Sequence, residues 1–275
     1  MYKRQLTKGV HLVFSKDRFP LSQSIYFDVE DGRMIFAIPR GRSTYVGTTD
    51  TNYHGNINRV IATKADAQYL INATNHMFPS LNLSIEDIES NWAGLRPLIH
   101  EEGKDPGELS RKDEIFVSKT GLISIAGGKL TGYRKMAQRA IDEVLDHIPD
   151  HKKEHLVASY TEKIPLTANP LKDTEEVEEY QQTIEVHLKN EGIDNPYQSW
   201  YLATTYGKQS DAIIDKMSFF LNADPLERLI RAELWYSVHH EMTNSLTDFF
   251  VRRTGRLYFD IHSVCLLYTS PSPRD

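Results

Sequence analysis

The sequence predicts an α+β fold for this 275-residue chain, on three observations. Short runs rich in β-branched and aromatic residues, divided by turn signals, fill its first part. A strand, a glycine turn and an amphipathic helix follow one another near the middle. Beyond about Glu175 the apolar spacing is helical almost throughout.

The first runs are Val10–Phe14, Ser24–Asp28, Met34–Ile38 and Thr44–Thr49, separated by Phe19-Pro20, Glu30-Asp31-Gly32 and Pro39-Arg40-Gly41. Such spacing predicts an antiparallel sheet of hairpins. A helix is expected over Lys64–Met77, with Ala67, Leu70, Ile71 and Thr74 on one face, and a short element opens at Ser84. In the middle, Ile115–Val117 and Leu122–Ala126 read as strands, the second one buried because its apolar run is nearly continuous. Then comes Gly127-Gly128-Lys129-Leu130-Thr131-Gly132-Tyr133-Arg134, and Met136, Ala137, Ala140, Ile141, Val144 and Leu145 trace one helix face. After a linker at Ile164–Pro170, helices are expected over Glu175–Asn190, Gln198–Tyr206, Gln209–Met217 and Pro225–Thr254.

Composition narrows the function classes. The formal charge of -6 argues against a general nucleic-acid binder, because neutralising phosphates needs a basic face. A local basic pocket for a small phosphate ester is compatible with it. No apolar run approaches the roughly 20 residues that span a bilayer. The one cysteine, Cys265, fits a reducing compartment, so a cytoplasmic protein is expected.

The glycine turn carries the most chemistry. Two glycines let the backbone bend sharply and approach a ligand. The following helix would aim free N–H groups and its positive dipole end at the same point, with Lys129 adding a full charge and Thr131 a cap or a ligand hydroxyl. An ordinary strand–helix connection explains the same residues about as well. Arg96, in Trp92-Ala93-Gly94-Leu95-Arg96-Pro97-Leu98, sits among apolar neighbours and calls for an anion, either a ligand or an internal carboxylate. Arg111 lies in a polar loop and is a weaker candidate. His11, inside an apolar strand, is by default a packed residue, though an imidazole facing a cleft could take a hydroxyl proton. Thr48 and Thr49 read first as a capped turn. His239-His240-Glu241 lacks metal-ligand spacing, so no metal is expected. Arg252, Arg253 and Arg256 suit a helix C-terminus.

Taken in order, Lys8-Gly9-Val10-His11-Leu12-Val13, Phe36-Ala37-Ile38-Pro39-Arg40, Val46-Gly47-Thr48-Thr49-Asp50-Thr51, Gly94-Leu95-Arg96-Pro97-Leu98 and Gly127 through Arg134 resemble the FAD-dependent, aerobic glycerol-3-phosphate dehydrogenases. Arg231-Ala232-Glu233-Leu234 and Asp248 through Thr254 are similar to that family's helical C-terminal domain. The resemblance implies a β-sheet substrate cap at 6–90, the closing part of a glutathione-reductase-like FAD domain at 91–163 and a helical domain at 164–264. It places Gly127, Gly128, Lys129, Leu130 and Thr131 against the flavin, where a cation stabilises the charge that hydride transfer leaves on the ring. Arg96 would hold glycerol 3-phosphate, with Arg111 a phosphate contact. His11, Lys129 or a water would accept the proton of the substrate hydroxyl.

The implied partners are glycerol 3-phosphate and a membrane quinone, with peripheral contact at the inner face of the membrane and a homodimer as further expectations. Oxygen replaces the quinone in the related oxidases, and a non-catalytic module is the reading from a different class. Gly132 stands where the family turn has threonine. No G-x-G-x-x-G follows a strand, so the FAD pyrophosphate site is expected outside this chain, which would be inactive alone. Met1–Gln5 and Cys265–Asp275 are similar to translated sequencing-adapter DNA, which makes about Leu6 to Val264 the expected native segment.

Overall fold

In a computed structural model, residues 4–49, 51–99 and 113–269 are described. They divide between two units, each assembled from three stretches of chain. The first takes 1–9, 49–61 and 93–166; the second takes 10–48, 62–92 and 167–275.

The second unit joins a sheet to helices. Strands β1 (Arg4–Ser15), β2 (Ile25–Asp28), β3 (Met34–Arg40) and β4 (Ser43–Gly47) lie in the order β2-β3-β4-β1, all pairings antiparallel. The hairpin expectation holds for β2–β3 and β3–β4, which pair across the second and third turn signals, whereas Phe19-Pro20 links β1 to β2, which do not pair. Val10, Leu12, Val13 and Phe14 of β1 are buried, as are Ile35 and Ala37 of β3. Helix α1 (Lys64–Met77) covers this sheet with the foreseen face of Ala67, Leu70, Ile71 and Thr74. Its start is a capping box, with Thr63 Oγ1 accepting from Asp66 N–H at 3.2 Å while Asp66 accepts from Thr63 N–H at 2.8 Å. Phe78, just past its end, packs edge-on against Phe19 and Phe27 at 5.3 and 5.9 Å.

Helices α3 (Thr174–Asn190), α4 (Pro196–Tyr206), α5 (Ser210–Lys216) and α6 (Pro225–His240) enclose a second core of Ile184, Leu188, Leu202, Ile213, Met217 and Leu229. Here one expectation is corrected: Pro225–Thr254 is not a single helix. α6 ends at His240, and a separate π-helical turn follows at Asp248–Arg253. Asp248 explains the break, because its carboxylate accepts from Asn244 N–H and Ser245 Oγ at 3.2 and 2.9 Å. Such local bonds offer the backbone an alternative to continuing the helix. The chain ends in α7 (Arg256–Phe259) and α8 (Ile261–Thr269), which runs through Cys265.

The first unit is thinner. β5 (Thr51–Asn52) pairs with the opening of β1 at Thr7 and Lys8. Strand β6 (Ile88–Ile99) carries Trp92 in the second unit and Arg96 in the first, and it pairs with β1. Strands β7 (Asp113–Val117) and β8 (Ile123–Gly127) form a two-stranded antiparallel sheet, with α2 (Tyr133–Asp146) packed on β8. The expectation that β8 is buried is corrected, since none of its residues is and the preceding Leu122 is 65% exposed. An apolar run buries itself only where layers cover it, and a two-stranded sheet with one helix supplies too little. The apolar face of α2 is likewise open, with Ile141 58% exposed. No helix among the described residues is long and apolar enough to cross a membrane.

Candidate active site

His11 is set by its strand register. It pairs across the β1–β4 ladder with Gly47, and its half-buried imidazole lies where a side chain on Gly47 would be. A Cβ there would overlap the ring, coming within 2.7 Å of Nε2. Glycine at 47 is therefore the residue that makes room for the imidazole. On another side the ring stacks on Trp92, with centroids 4.7 Å apart and planes 12° from parallel. Phe36 of β3 is 5.5 Å away and Tyr45 of β4 is 6.4 Å away. Tyr45 is pushed above its ordinary pKa by burial, partly offset by the charge of Arg40. A histidine held in an aromatic box with one fixed ring plane can exchange protons only within that plane, through its two ring nitrogens.

The glycine turn is built by the β7–β8 hairpin, whose register sets Asp113 opposite Gly127. Gly127 and Gly128 have φ of 79° and 81°, a region that L side chains rarely adopt. A Cβ on Gly128 would also come within 2.6 Å of Met136 Sδ and 3.1 Å of Asp113 Cβ. Gly128 thus lets the turn pass closely between β7 and α2. Lys129 begins a 3-10 turn over Leu130–Gly132, and α2 starts behind it with Gly132 at its N-cap. Thr131 therefore does not cap α2, which has no side-chain cap. The extra 3-10 turn shifts the helix start beyond the threonine.

A cavity of about 510 Å³ opens beside the turn, lined by Asp113, Gly128, Lys129, Thr131, Gly132, Lys135, Met136 and Arg139. Asp113 pairs with Arg139 and Lys135 donates to Gln138, while the Lys129 ammonium makes no hydrogen bond or ion pair among the described residues. Three cations face one carboxylate across this space, so it favours an anionic or electron-rich group.

Arg96 is half-buried on β6 in the same unit as the turn, whereas His11 belongs to the other unit. Arg111 lies outside the described residues. Thr49 donates its hydroxyl to Lys8 O at 3.0 Å, a bond to β1 and not a local turn cap. His239 Nδ1 donates to Trp235 O at 2.8 Å, ordinary helix-surface bonding. The closing arginines are ion-paired, Arg252 with Asp248, Arg253 with Glu241 and Arg256 with Glu233. Sequence reasoning misses Trp92 and Gly47. The register that faces Gly47 with His11 comes from strand pairing, and the strand character of β6 is masked by Gly94 and Pro97, residues that argue against a strand.

Two family models match in succession. That for FAD dependent oxidoreductases covers residues 3–134, and that for the C-terminal domain of alpha-glycerophosphate oxidase covers residues 161–267. The chain belongs to the FAD-dependent oxidoreductase family. Within this family it is 46% identical over 266 residues to the aerobic glycerol-3-phosphate dehydrogenase of Bacillus subtilis (strain 168), taking in 94% of this chain and 47% of that protein. The Staphylococcus aureus (strain USA300) enzyme of the same name is 46% identical over 267 residues, 95% of this chain and 47% of that protein. The solved glycerol-3-phosphate dehydrogenase of Bacillus halodurans, complexed with FAD, superposes with a TM-score of 0.78 at 42% identity, covering 95% of this chain and 50% of that one. The chain spans about half the length of these family members.

Proposed function

We propose that this chain supplies the substrate cap, one wall of the flavin site and the helical domain of an enzyme that oxidises glycerol 3-phosphate to dihydroxyacetone phosphate. The observation that carries the reading is the glycine turn with its cationic cavity. Its residues fit FAD: Gly128 brings backbone close, and Lys129, Lys135 and Arg139 offset negative charge. FAD, when bound, supplies the acceptor for the hydride that leaves the substrate's second carbon.

The chain's own residues then have separate tasks. His11 takes the hydroxyl proton as the carbonyl forms, its ring plane set by Gly47 and Trp92. Arg96 binds and orients the anionic substrate, with Arg111 a second phosphate contact. Lys129 stabilises negative charge at the flavin wall, and Thr131 offers a hydroxyl there. Electrons pass onward to a quinone, with peripheral contact at the cytoplasmic face of the membrane. By itself the chain is inactive, a reading supported by the open apolar face of α2.

The test is a chimera in which this chain replaces the matching half of the Bacillus subtilis relative. Glycerol 3-phosphate should drive dye reduction by the chimera and not by the 275-residue chain mixed with FAD. Turnover by the chain alone, or a chimera indifferent to glycerol 3-phosphate, defeats the proposal. Comparing a quinone analogue with oxygen as acceptor separates the dehydrogenase from the oxidase form.

A further inference from the structure

The helical domain reaches His11 most directly through Trp92, and less directly through Tyr45, which Phe259 meets edge-on at 5.6 Å. Trp92 stacks on the imidazole at 4.7 Å, and its indole is in turn met by Tyr258 at 5.0 Å and by Phe259, edge-on, at 5.5 Å. Those two rings sit at the end of α7, more than 160 residues away in sequence, Ser90 and Tyr258 being 168 apart. Their backbone is tied to the sheet independently of the rings. Ser90 Oγ donates to Tyr258 O, and Arg42 donates to Phe259 O at 3.4 Å while bridging Glu89 at 2.7 Å. At its other end α7 begins with Arg256, 2% exposed and paired with the fully buried Glu233. The indole is thus backed by a short helix that is pinned at both ends.

We propose that Trp92 is a positioning residue for His11, and that α7 of the helical domain holds the indole in place through Tyr258 and Phe259. An imidazole turns about its χ2 torsion in a broad, roughly two-fold well. A parallel indole on one face and the backbone of Gly47 at its edge leave one plane. That plane decides where the ring nitrogens aim, and misaligned proton acceptors lose rate steeply. A stacked aromatic pair adds stability beyond its burial, so the same contact also stabilises the sheet. The proposal rests on the reading of His11 as proton acceptor, and the first arm of its test does not depend on that reading.

In that arm the 275-residue chain is studied by nuclear magnetic resonance, with the His11 ring signals assigned by their loss in His11→Gln. The ring current of Trp92 should displace the His11 carbon-bound protons upfield, with cross-peaks to Trp92 and Phe36. Trp92→Leu should return them downfield and broaden them, Phe259→Leu should move them part of the way, and Trp92→Phe should restore one sharp position. Unchanged His11 signals in a natively folded Trp92→Leu chain overturn the proposal. Should that variant lose its native amide spectrum, unchanged His11 signals in Phe259→Leu overturn it equally. In the second arm the chimera carries the same substitutions. Trp92→Leu should lower kcat roughly tenfold with little change in KM, and Trp92→Phe should recover most of it. A His11→Gln chimera with undiminished kcat would sink the catalytic reading while leaving the resonance result standing.

Discussion

Glu233 shows most sharply how a single residue organises its neighbourhood. It is fully buried, and its charge is met on all sides: Tyr206 donates to Oε1 at 2.7 Å, Tyr201 donates to the same atom, and Arg256 reaches Oε2 with Nε at 2.9 Å. Asp260 and Ser263 take the remaining Arg256 donor at 3.2 and 3.1 Å. Burial alone would lower the Arg256 pKa, but the Glu233 carboxylate beside it overrides that and holds the guanidinium above its usual range. Burial, then the Glu233 charge, pushes both tyrosines upward, so they stay protonated as donors. Removing one partner strands a buried charge, so Arg256→Met should cost about 3–5 kcal/mol. Urea unfolding would read it, and adding Glu233→Leu to that variant should recover part of the loss. At the flavin wall, Lys129→Met should leave folding intact, because the Lys129 side chain bonds nothing among the described residues and its backbone bond to Gly132 is kept. Dye-linked kcat of the chimera should then fall by roughly a hundredfold, the scale for losing one preorganised stabiliser of developing charge.

At the scale of elements, the connections are the vulnerable points. Gly128→Ala would both force a side chain into φ of 81° and press it on Met136 and Asp113. The β8–α2 connection should lose roughly 1–3 kcal/mol, the usual cost of overpacking, visible as lost amide protection in α2 ahead of the helical core. The β2–β3 turn carries a pH dependence. The Arg33 guanidinium holds Asp31 down to about 2, and Tyr69 of α1 adds a weaker bond. A depressed folded pKa means that the stabilisation is complete above the ordinary value of 3.8 and is lost as pH falls through about 2. Urea midpoints should drop across that window, and Arg33→Met should flatten the drop. Elements whose signal is local are legible in the sequence: α1 is expected and observed over the same residues, because Ala67, Leu70, Ile71 and Thr74 mark its face. Elements that owe their state to partners are not. β6 contains a glycine and a proline yet pairs as a strand, and β8 reads as buried yet is open. The site divides in the same way. The turn and His11 stand out by residue type, whereas Gly47 and Trp92 matter only through what the ladder sets beside them.

For the whole molecule the two units differ in how much of themselves they cover. Leu130 is 89% exposed beside an open helix face, in a unit whose middle sheet has only two strands. Contiguous exposed apolar surface marks an interaction site or an aggregation liability. The 275-residue chain should therefore bind the dye ANS and associate with rising concentration, and the chimera should do neither. A chain that stays monomeric without binding the dye would mean that this surface is covered by other means. The order of the segments has a consequence of another kind, during synthesis. The sheet around His11 is made early, but the residues that back Trp92 and bond Arg42 come more than two hundred positions later, Arg42 and Phe259 being 217 apart. During synthesis Tyr45 and Trp92 therefore stay exposed until α7 has followed them. A nascent chain arrested before Arg256 would present those rings to chaperones, and the emergence of α7 would be the step that covers them.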